Sequence, residues 1–418
     1  MTTRNEAKKA FLEQINEERI IRLFQEAIRI PSITTDERQI AELVSGELQN
    51  IGLDRVEMFD FKPNRPDVWG VLHGAGGGRN LMFAGHYDTV PVHGWEEHWK
   101  GTERESPFSA ALVDGEIWGR GSGDMKAGVI GVIEALRAIK DSGVRLRGNV
   151  VSVFVGDEES GIPGTGFSDG IKAIASKIEA GEIPTADFAI YTEPTTLDIY
   201  TAQIGFIIAD ITVHGKSAYY GKPWLGVDAV RGAHKVLSAL FEYSDRIWEK
   251  DAHPLLGRPL NLVTAIQGGG YIAVPETCKI SLIRKILPSE SVTDVQAELE
   301  NILRRLAISD GIQTETIYTA PRDEKYGGQP AEIPIDTPGV ICLANAIQEV
   351  TAKSDVVQGS PYWSETSILA NRLGIPAVYC GAGDITNCHT LNERVEVQEL
   401  LDSVKAFGLT MLDFCGVD

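Results

Sequence analysis

The sequence M-F-A-G-H-Y-D, residues 82–88, ends an apolar run in a histidine and an aspartate. The length and composition of the run predict a buried β-strand. Similar apolar runs occur at residues 55–61, 68–72, 150–155 and 188–191. These runs alternate with stretches of helical spacing, such as residues 126–140, and polar residues follow many of them. The pattern predicts a doubly wound α/β domain, in which ligands bind beyond the carboxyl ends of the strands.

A different pattern occupies residues 203–318: a strand, a long helix, two strands, a helix and a final strand. This order predicts a compact α+β insert. The α/β pattern then resumes and ends in a helix over about residues 397–414. With 418 residues the chain exceeds the usual size of one hydrophobic core. We therefore predict a catalytic domain in two parts, residues 1–202 and 319–418, split around an inserted domain at 203–318.

The composition excludes several classes of protein. A formal net charge of −20 disfavours binding to nucleic acid or to anionic membrane surfaces. Five cysteines without C-x-x-C spacing argue against a disulfide framework or a cysteine zinc site, and favour a reducing compartment. Residues 1–30 contain neither a signal-peptide core nor a membrane span. We expect a cytoplasmic protein that acts on a small molecule.

His86 and Asp88 are the first candidate functional residues. Side chains two residues apart on a strand share a face, so Asp88 can brace the imidazole of His86. Metal-binding histidines commonly have their second ring nitrogen held by such a carboxylate. The H-x-D pattern by itself is equally compatible with a structural histidine at a strand end.

A glycine-rich turn, W-G-R-G-S-G-D-M-K at residues 118–126, brings Asp124 to the start of a helix. A phosphate-binding loop would need a Gly-Lys-Ser/Thr ending, which is missing here. A dinucleotide-binding turn would lie in the first βαβ unit, and this turn does not. We interpret the segment as a tight turn that orients Asp124.

Further acidic and histidine residues follow the other predicted strands. Three consecutive acids, residues 157–159, follow the run at 150–155, and neighbouring side chains there can point in different directions. Each candidate alone could be a cap or loop residue. Together two histidines, one aspartate and two glutamates form a mixed nitrogen and oxygen set suited to zinc, cobalt or manganese. The set consists of His86, Asp124, Glu159, Glu193 and His389.

At this point the sequence resembles the M20 metallopeptidase family, which includes acetylornithine deacetylases, succinyl-diaminopimelate desuccinylases, aminoacylases and glutamate carboxypeptidases. The resemblance extends over essentially the whole chain. Its motifs are G-H-Y-D-T-V-P (85–91), P-F…D-G-x-x-W-G-R-G-S-x-D-M-K-A-G (107–128), D-E-E-S-G (157–161), T-E-P (192–194) and H-T-L-N-E (389–393). The resemblance implies a zinc-peptidase-like three-layer catalytic domain with a ferredoxin-like insert that serves as lid and dimerisation domain.

The resemblance also implies roles for single residues. It implies two divalent ions, one held by His86, Asp124 and Glu193, the other by Asp124, Glu159 and His389. Asp124 would bridge the ions, and Asp88 would orient His86. Glu158 would be the general base, taking a proton from the attacking water and returning it to the leaving nitrogen. Arg284 is similar to the family arginine that holds a substrate carboxylate.

Two positions depart from the family pattern. Tyr219 stands where the family usually has a histidine that steadies the carbonyl oxyanion, and a phenol cannot supply positive charge at neutral pH. Ile272 stands where an asparagine is typical. Both changes affect groups that recognise an amide carbonyl, whereas the metal set and Glu158 are intact.

Three hypotheses therefore remain. The first is an amidohydrolase or exopeptidase that cuts a C–N bond in a small carboxylate-bearing substrate. The second is an aromatic aminohydrolase of the nitroanthranilate type, which replaces a ring amino group by hydroxyl and releases ammonia. The third is a non-catalytic binding module.

Overall fold

The computed structural model describes residues 4–160 and 162–418, and the chain divides into two compact units. The first unit comprises the chain up to Thr201, Ile333–Gly359 and Ser364–Asp418, and the second comprises Ala202–Glu332 and Ser360–Trp363. The second unit extends beyond residue 318, where we predicted the end of the insert, because the strand Gly327–Gly328 pairs with residues 206–207 of that unit. The fold is mixed α/β with an inserted domain, as predicted.

The helices and strands alternate along most of the chain. The helices are α1 (Arg4–Leu12), α2 (Glu17–Arg29), α3 (Arg38–Ile51), α4 (Trp95–His98), α5 (Ala127–Asp141), α6 (Asp169–Glu179), α7 (Ala229–Trp248), α8 (Val292–Asp310), α9 (Pro338–Thr351) and α10 (Val397–Cys415). Short irregular helical turns occur at Ser122–Lys126, Pro223–Leu225 and Ile368–Arg372. Within residues 4–160 and 162–418, no helix combines the length and the apolar character that a membrane span requires.

The strands belong to three sheets. They are β1 (Arg55–Lys62), β2 (Arg65–Leu72), β3 (Leu81–His86), β4 (Ala111–Val113), β5 (Glu116–Trp118), β6 (Val150–Val155), β7 (Phe188–Tyr191), β8 (Ile199–Gln203), β9 (Gly205–His214), β10 (Leu260–Gly268), β11 (Thr277–Ile286), β12 (Gln313–Tyr318), β13 (Gly327–Gly328), β14 (Ala331–Glu332), β15 (Val357–Ser360), β16 (Ala377–Tyr379) and β17 (Arg394–Glu396).

The main sheet of the first unit has the strand order β1-β2-β6-β3-β7-β16-β8. Strands β6, β3, β7 and β16 are parallel, whereas β1, β2 and β8 pair antiparallel with their neighbours. The carboxyl ends of the parallel strands therefore meet at one edge of the sheet, which is where ligands bind in open α/β sheets.

Strand β3 lies in the centre of the hydrophobic core. All its residues are buried, as expected of a parallel strand covered by helices. Helices α5 and α10 contact this strand and each other. The rings of Phe83 and Phe407 lie 5.2 Å apart across this interface. The strand end that carries His86 is thus fixed by packing on the helices.

A small antiparallel sheet, β4-β5-β17, joins two distant parts of the first unit. In its register Trp118 of β5 is opposite Arg394 of β17. The turn at 119–126 follows β5 directly, and residues 389–393 precede β17 directly. This pairing therefore brings the Asp124 turn beside the His389 segment.

The second unit is built on an antiparallel sheet of order β10-β11-β9-β12. Residues of β9 alternate between buried and partly exposed positions, the two-residue period of a sheet with one covered face. The covered face packs against helices α7 and α8. The predicted α+β order of the insert is present.

Candidate metal centre

His86 ends strand β3 and is 1% exposed. Its Nδ1 lies 3.0 Å from the main-chain carbonyl oxygen of Asp88, which can only accept a hydrogen bond. Nδ1 therefore donates to this carbonyl, which leaves Nε2 to face the carboxylates of the site. Nε2 is 3.1 Å from Oδ1 of Asp124.

Asp124 follows a tight turn that depends on glycine. Gly121 has φ +83°, and a Cβ there would come within 2.7 Å of Thr89 Cγ2. The turn directs the two carboxylate oxygens of Asp124 at two different imidazoles. Oδ1 faces His86, and Oδ2 lies 3.1 Å from Nε2 of His389.

The two remaining candidate ligands approach different imidazoles. Glu159, which follows β6, places Oε1 2.9 Å from His389 Nε2. Glu193, which follows β7, places Oε1 3.7 Å from His86 Nε2. The hydroxyl of Ser364 donates a 2.7 Å hydrogen bond to the same oxygen of Glu193. The five side chains thus form two groups that share Asp124.

Glu158 lies at the edge of this cluster. Its Oε2 is 3.9 Å from His86 Nε2, and its side chain is 13% exposed, more than those of Glu159 and Glu193. It can therefore contact both the cluster and a molecule that enters from solvent. Glu158 approaches His86, whereas the adjacent Glu159 approaches His389.

The carboxylate of Asp88 has a different contact from the one predicted. Its Oδ1 is 3.6 Å from His86 Nδ1, outside hydrogen-bonding distance, and the main-chain carbonyl holds the ring instead. The two carboxylate oxygens accept the main-chain N–H groups of Glu158 and Glu159, at 3.3 and 3.1 Å. Thr34 donates a further hydrogen bond at 2.9 Å. Asp88 therefore fixes the backbone of the β6 loop.

The cluster has more buried negative charge than it can neutralise. Burial, followed by the charge of Asp124, raises the pKa of Glu159 to about 8. Burial and Asp124 also raise the pKa of Glu193. Burial lowers the pKa of His389, but its bonds to Asp124 and Glu159 outweigh this and raise the pKa to about 11. Burial opposes ionisation of Asp124 too, yet the two imidazoles lower the pKa of its carboxyl.

These properties fit a pair of divalent cations. One ligand atom each from His86, Asp124 and Glu159 lies within 4.8 Å of the others. Four carboxylates in a buried site, those of Asp124, Glu158, Glu159 and Glu193, would be compensated by two doubly charged ions. The mixed imidazole and carboxylate donors match the preferences of zinc, manganese and cobalt. His86 with Glu193, and His389 with Glu159, could each hold one ion beside a bridging Asp124.

Arg284 does not have the predicted role of a carboxylate clamp. It lies in β11 of the second unit and is completely buried. Its guanidinium bonds Glu290 at 2.6 Å and the Tyr243 hydroxyl at 3.0 Å. A substrate cannot reach a cation that is enclosed and paired in this way. Tyr219, also in the second unit, is 60% exposed and packs its ring on Tyr220 at 4.6 Å.

No sequence motif indicates several of the residues that hold the candidate ligands in place. Ser364 is 171 positions away from Glu193, which it contacts, and no motif links the two. Thr34 is 54 positions away from Asp88, to which it donates a hydrogen bond. Glu393 lies inside the H-T-L-N-E motif, but the motif indicates no partner for it. Its partner in the structure is the buried Arg120.

Comparison with known proteins gives a consistent result. The sequence profile of peptidase family M20/M25/M40 matches residues 82–413. The chain is 26% identical over 403 residues to an N-formyl-4-amino-5-aminomethyl-2-methylpyrimidine deformylase of Bacillus subtilis, covering 90% of this chain and 89% of the relative. It is also 26% identical over 395 residues to a succinyl-diaminopimelate desuccinylase of Gluconacetobacter diazotrophicus, covering 91% and 92%.

A solved structure has the same fold. It is a dinuclear metal-binding peptidase of the M20 family from Bacillus subtilis, with a TM-score of 0.65 and 16% sequence identity. The alignment covers 97% of this chain and 99% of that one.

Proposed function

The chain belongs to peptidase family M20/M25/M40, and we propose that it is an amidohydrolase of small carboxylate-bearing substrates that uses Glu158 as its general base. Hydrolysis of a C–N bond follows from the family. One observation carries the finer proposal: Asp124 directs its two oxygens at two histidines, while Glu158 lies beside them at the exposed edge of the cluster.

Two divalent ions, held by the two ligand groups around Asp124, would supply charge compensation in the transition state and a lowered pKa for a shared water. We propose zinc, manganese or cobalt, because the donors mix imidazole nitrogen with carboxylate oxygen.

Glu158 would take the proton of the attacking water and deliver it to the leaving nitrogen. This role requires a fixed position, and the Asp88 carboxylate supplies it through the main-chain N–H groups of Glu158 and Glu159. A carboxylate that receives two backbone donors and the Thr34 hydroxyl holds the loop in one arrangement. Asp88 is therefore proposed as a positioning residue for the base and for the ligand Glu159.

The two relatives named above remove small acyl groups from amines. One removes a formyl group from an amine that carries a pyrimidine ring, and the other removes a succinyl group from an amino acid, as their names state. Both cut an amide between a small acyl group and an amine. A small N-acyl amide is the substrate class that the relatives favour for this chain.

A second candidate is the aromatic aminohydrolase, which would displace ammonia from a ring. Exposed aromatic side chains of the insert, Tyr219, Tyr220 and Tyr271, favour this candidate. At position 219 the family usually has a histidine instead of a tyrosine. Tyr271 is completely exposed and Tyr220 is 62% exposed. Aromatic rings bind a flat substrate by stacking, whereas a phenol cannot supply the positive charge of an imidazolium.

The assembly is proposed to be a homodimer, or a larger homo-oligomer, formed through the insert. Strand β10 pairs on one side only in the described part of the chain, and Leu262 and Ile266 are 56% and 55% exposed on it. Phe241 of the adjacent helix α7 is 53% exposed. An unpaired edge with exposed apolar residues is suited to pairing with a second copy. Substituting Leu262 and Ile266 by glutamate should produce a monomer in light scattering, and an unchanged mass would contradict the proposal.

A reducing compartment, the cytoplasm, is proposed as the location. All five cysteines are unpaired thiols, and four of them are buried. Cell fractionation with an antibody to the protein would test this location.

Mass-spectrometric product analysis tests the function. The protein loaded with zinc or manganese is incubated with N-formyl and N-succinyl amines, dipeptides and aminobenzoates, with Glu158→Ala as the control. Cleavage of an acyl amide by the wild type alone supports the amidohydrolase. Formation of a hydroxybenzoate with release of ammonia supports the aminohydrolase instead. A binding module would leave every compound unchanged, and that result would contradict both activities.

A further inference from the structure

Glu393 is a completely buried carboxylate four residues after His389. Its Oε1 accepts three main-chain N–H groups of the turn that carries Asp124. These donors are Gly121 at 2.9 Å, Gly123 at 3.2 Å and Asp124 itself at 3.2 Å. A single oxygen from the His389 segment thus holds the backbone on which the shared ligand stands.

The other oxygen of Glu393 is also occupied. Oε2 pairs with the guanidinium of Arg120, which is 3% exposed. Arg120 in turn donates to the main-chain carbonyl of Thr390, the residue after His389, at 3.4 Å. The ion pair therefore connects the two segments twice. Glu393 contacts the backbone of the Asp124 turn, and Arg120 contacts the backbone of the His389 segment.

Backbone pairing supports the same connection. The N–H group of Gly119 donates to the carbonyl of Glu393 at 3.1 Å, continuing the pairing of β5 with β17. His389 itself has φ +60°, a left-handed conformation that costs a non-glycine residue of the order of 1 kcal/mol. Such a conformation persists only where the surrounding structure holds it. The bonds from Arg120 and Glu393 are part of that surrounding structure.

We infer that Glu393 is a positioning residue that holds the Asp124 turn and the His389 segment in one arrangement and so sets the affinity of the ion bound by Asp124, Glu159 and His389. This inference rests on the proposed two-ion centre. The other ion shares Asp124, but its remaining candidate ligands, His86 at the end of β3 and Glu193 after β7, have central positions in the sheet that do not depend on Glu393. Loss of Glu393 should therefore weaken one ion more than the other.

The test measures ion binding directly. Metal-free wild-type protein and the variants Glu393→Gln and Glu393→Leu are titrated with Co²⁺, using calorimetry for the affinity of each ion and visible absorption for its coordination. Glutamine keeps an accepting oxygen but leaves Arg120 without a counter-charge, whereas leucine removes both functions. Glu134→Gln and Glu134→Leu are matched controls, because Glu134 is also completely buried and paired with two arginines, Arg19 and Arg137.

The expected result is a loss of affinity for one ion of about 10- to 100-fold in Glu393→Leu and a smaller loss in Glu393→Gln. The second ion, which shares Asp124 but not His389, should lose less affinity than the first, and the absorption bands of the more weakened site should change. The Glu134 variants should lower the melting temperature of the metal-free protein without changing either affinity. Should Glu393→Leu fail to fold, Glu393→Gln provides the test.

Two outcomes would overturn the inference. If wild type binds two ions and a folded Glu393 variant binds both with unchanged affinity, the inference is wrong while the proposed function stands. If wild type itself binds fewer than two ions, the proposed two-ion centre fails, and the positioning role fails with it.

Discussion

Both the candidate metal centre of the first unit and the core of the insert contain buried charges. The buried charge of the insert has a counter-charge beside it, whereas the carboxylates of the candidate metal centre do not all have one. In the insert, Arg284 is enclosed but paired with Glu290 and Tyr243. In the metal centre, carboxylates outnumber the two imidazoles, and burial raises the pKa of Glu159 and Glu193. Burial of charge therefore does not identify a functional site by itself. A cluster of several buried carboxylates without matching cations is a stronger indication, because such a cluster is suited to binding cations.

The largest effect should come from Asp124→Asn, which removes the charge between the two ligand groups. Because Oδ1 faces His86 and Oδ2 faces His389, both ions should be affected. We expect each affinity to fall by more than about 100-fold, beyond the loss typical of outer-shell partners. Calorimetric titration with Zn²⁺ measures both affinities. Loss of only one ion would contradict the bridging role.

Arg284→Met should change stability and leave substrate binding intact. Removing one member of a buried pair leaves Glu290 uncompensated, so we expect the free energy of unfolding to fall by about 3 kcal/mol. Denaturant unfolding measures this loss, with the exposed Arg304→Met as control. The KM for carboxylate substrates should stay within about twofold. A tenfold rise in KM at unchanged stability would instead support the predicted role of Arg284 in binding the substrate carboxylate.

Asp67→Asn should have the smallest effect. It tests a third way to neutralise a buried carboxylate, which is to bind a proton. Asp67 is completely buried and accepts the N–H group of Gly156 at 3.1 Å, and burial raises its pKa well above the usual value. The folded protein therefore keeps a proton that the unfolded chain releases above about pH 4. Stability is greatest below that pH and falls as the pH rises towards the raised pKa.

Asparagine has no such proton, so the variant should lose this pH dependence. We expect a gain of about 1 kcal/mol in the free energy of unfolding at pH 7 relative to wild type, and no gain at pH 4. Thermal unfolding across this range measures it. An equal change at both pH values would show that Asp67 is not neutralised by a proton.

The same comparison explains how far the sequence could be interpreted. Strands β6 and β7 have the predicted bounds, because long apolar runs leave few alternatives to a buried strand. Three candidate ligands, His86, Glu159 and Glu193, come together because parallel strands end at one edge of the sheet, whereas the small sheet β4-β5-β17 brings Asp124 and His389 together. The predicted role of Arg284 in binding a substrate carboxylate was wrong, although the residue pattern of its strand already indicated burial. Arg284 is on the same strand face as Ile280, Leu282 and Ile286, all buried, so the two-residue period places it inside.

Contacts between distant segments could not be predicted. The carboxylate of Asp88 binds the backbone of residues 158–159 rather than the imidazole two residues before it, and the choice depends on how β3 and β6 pair. Ser364 reaches Glu193 through tertiary packing that no local pattern contains. The sequence therefore predicts the candidate ligands but not the residues that hold them in place.

The central claim separates binding from chemistry: the five candidate ligands, including Asp124, hold the ions, and Glu158 moves the proton. The most direct test measures ion binding and turnover of Glu158→Gln in parallel with wild type. We predict two ions per chain with affinities within about threefold of wild type, and a kcat lower by about 10³-fold. A variant that turns over at the wild-type rate, or that loses an ion, would contradict the account.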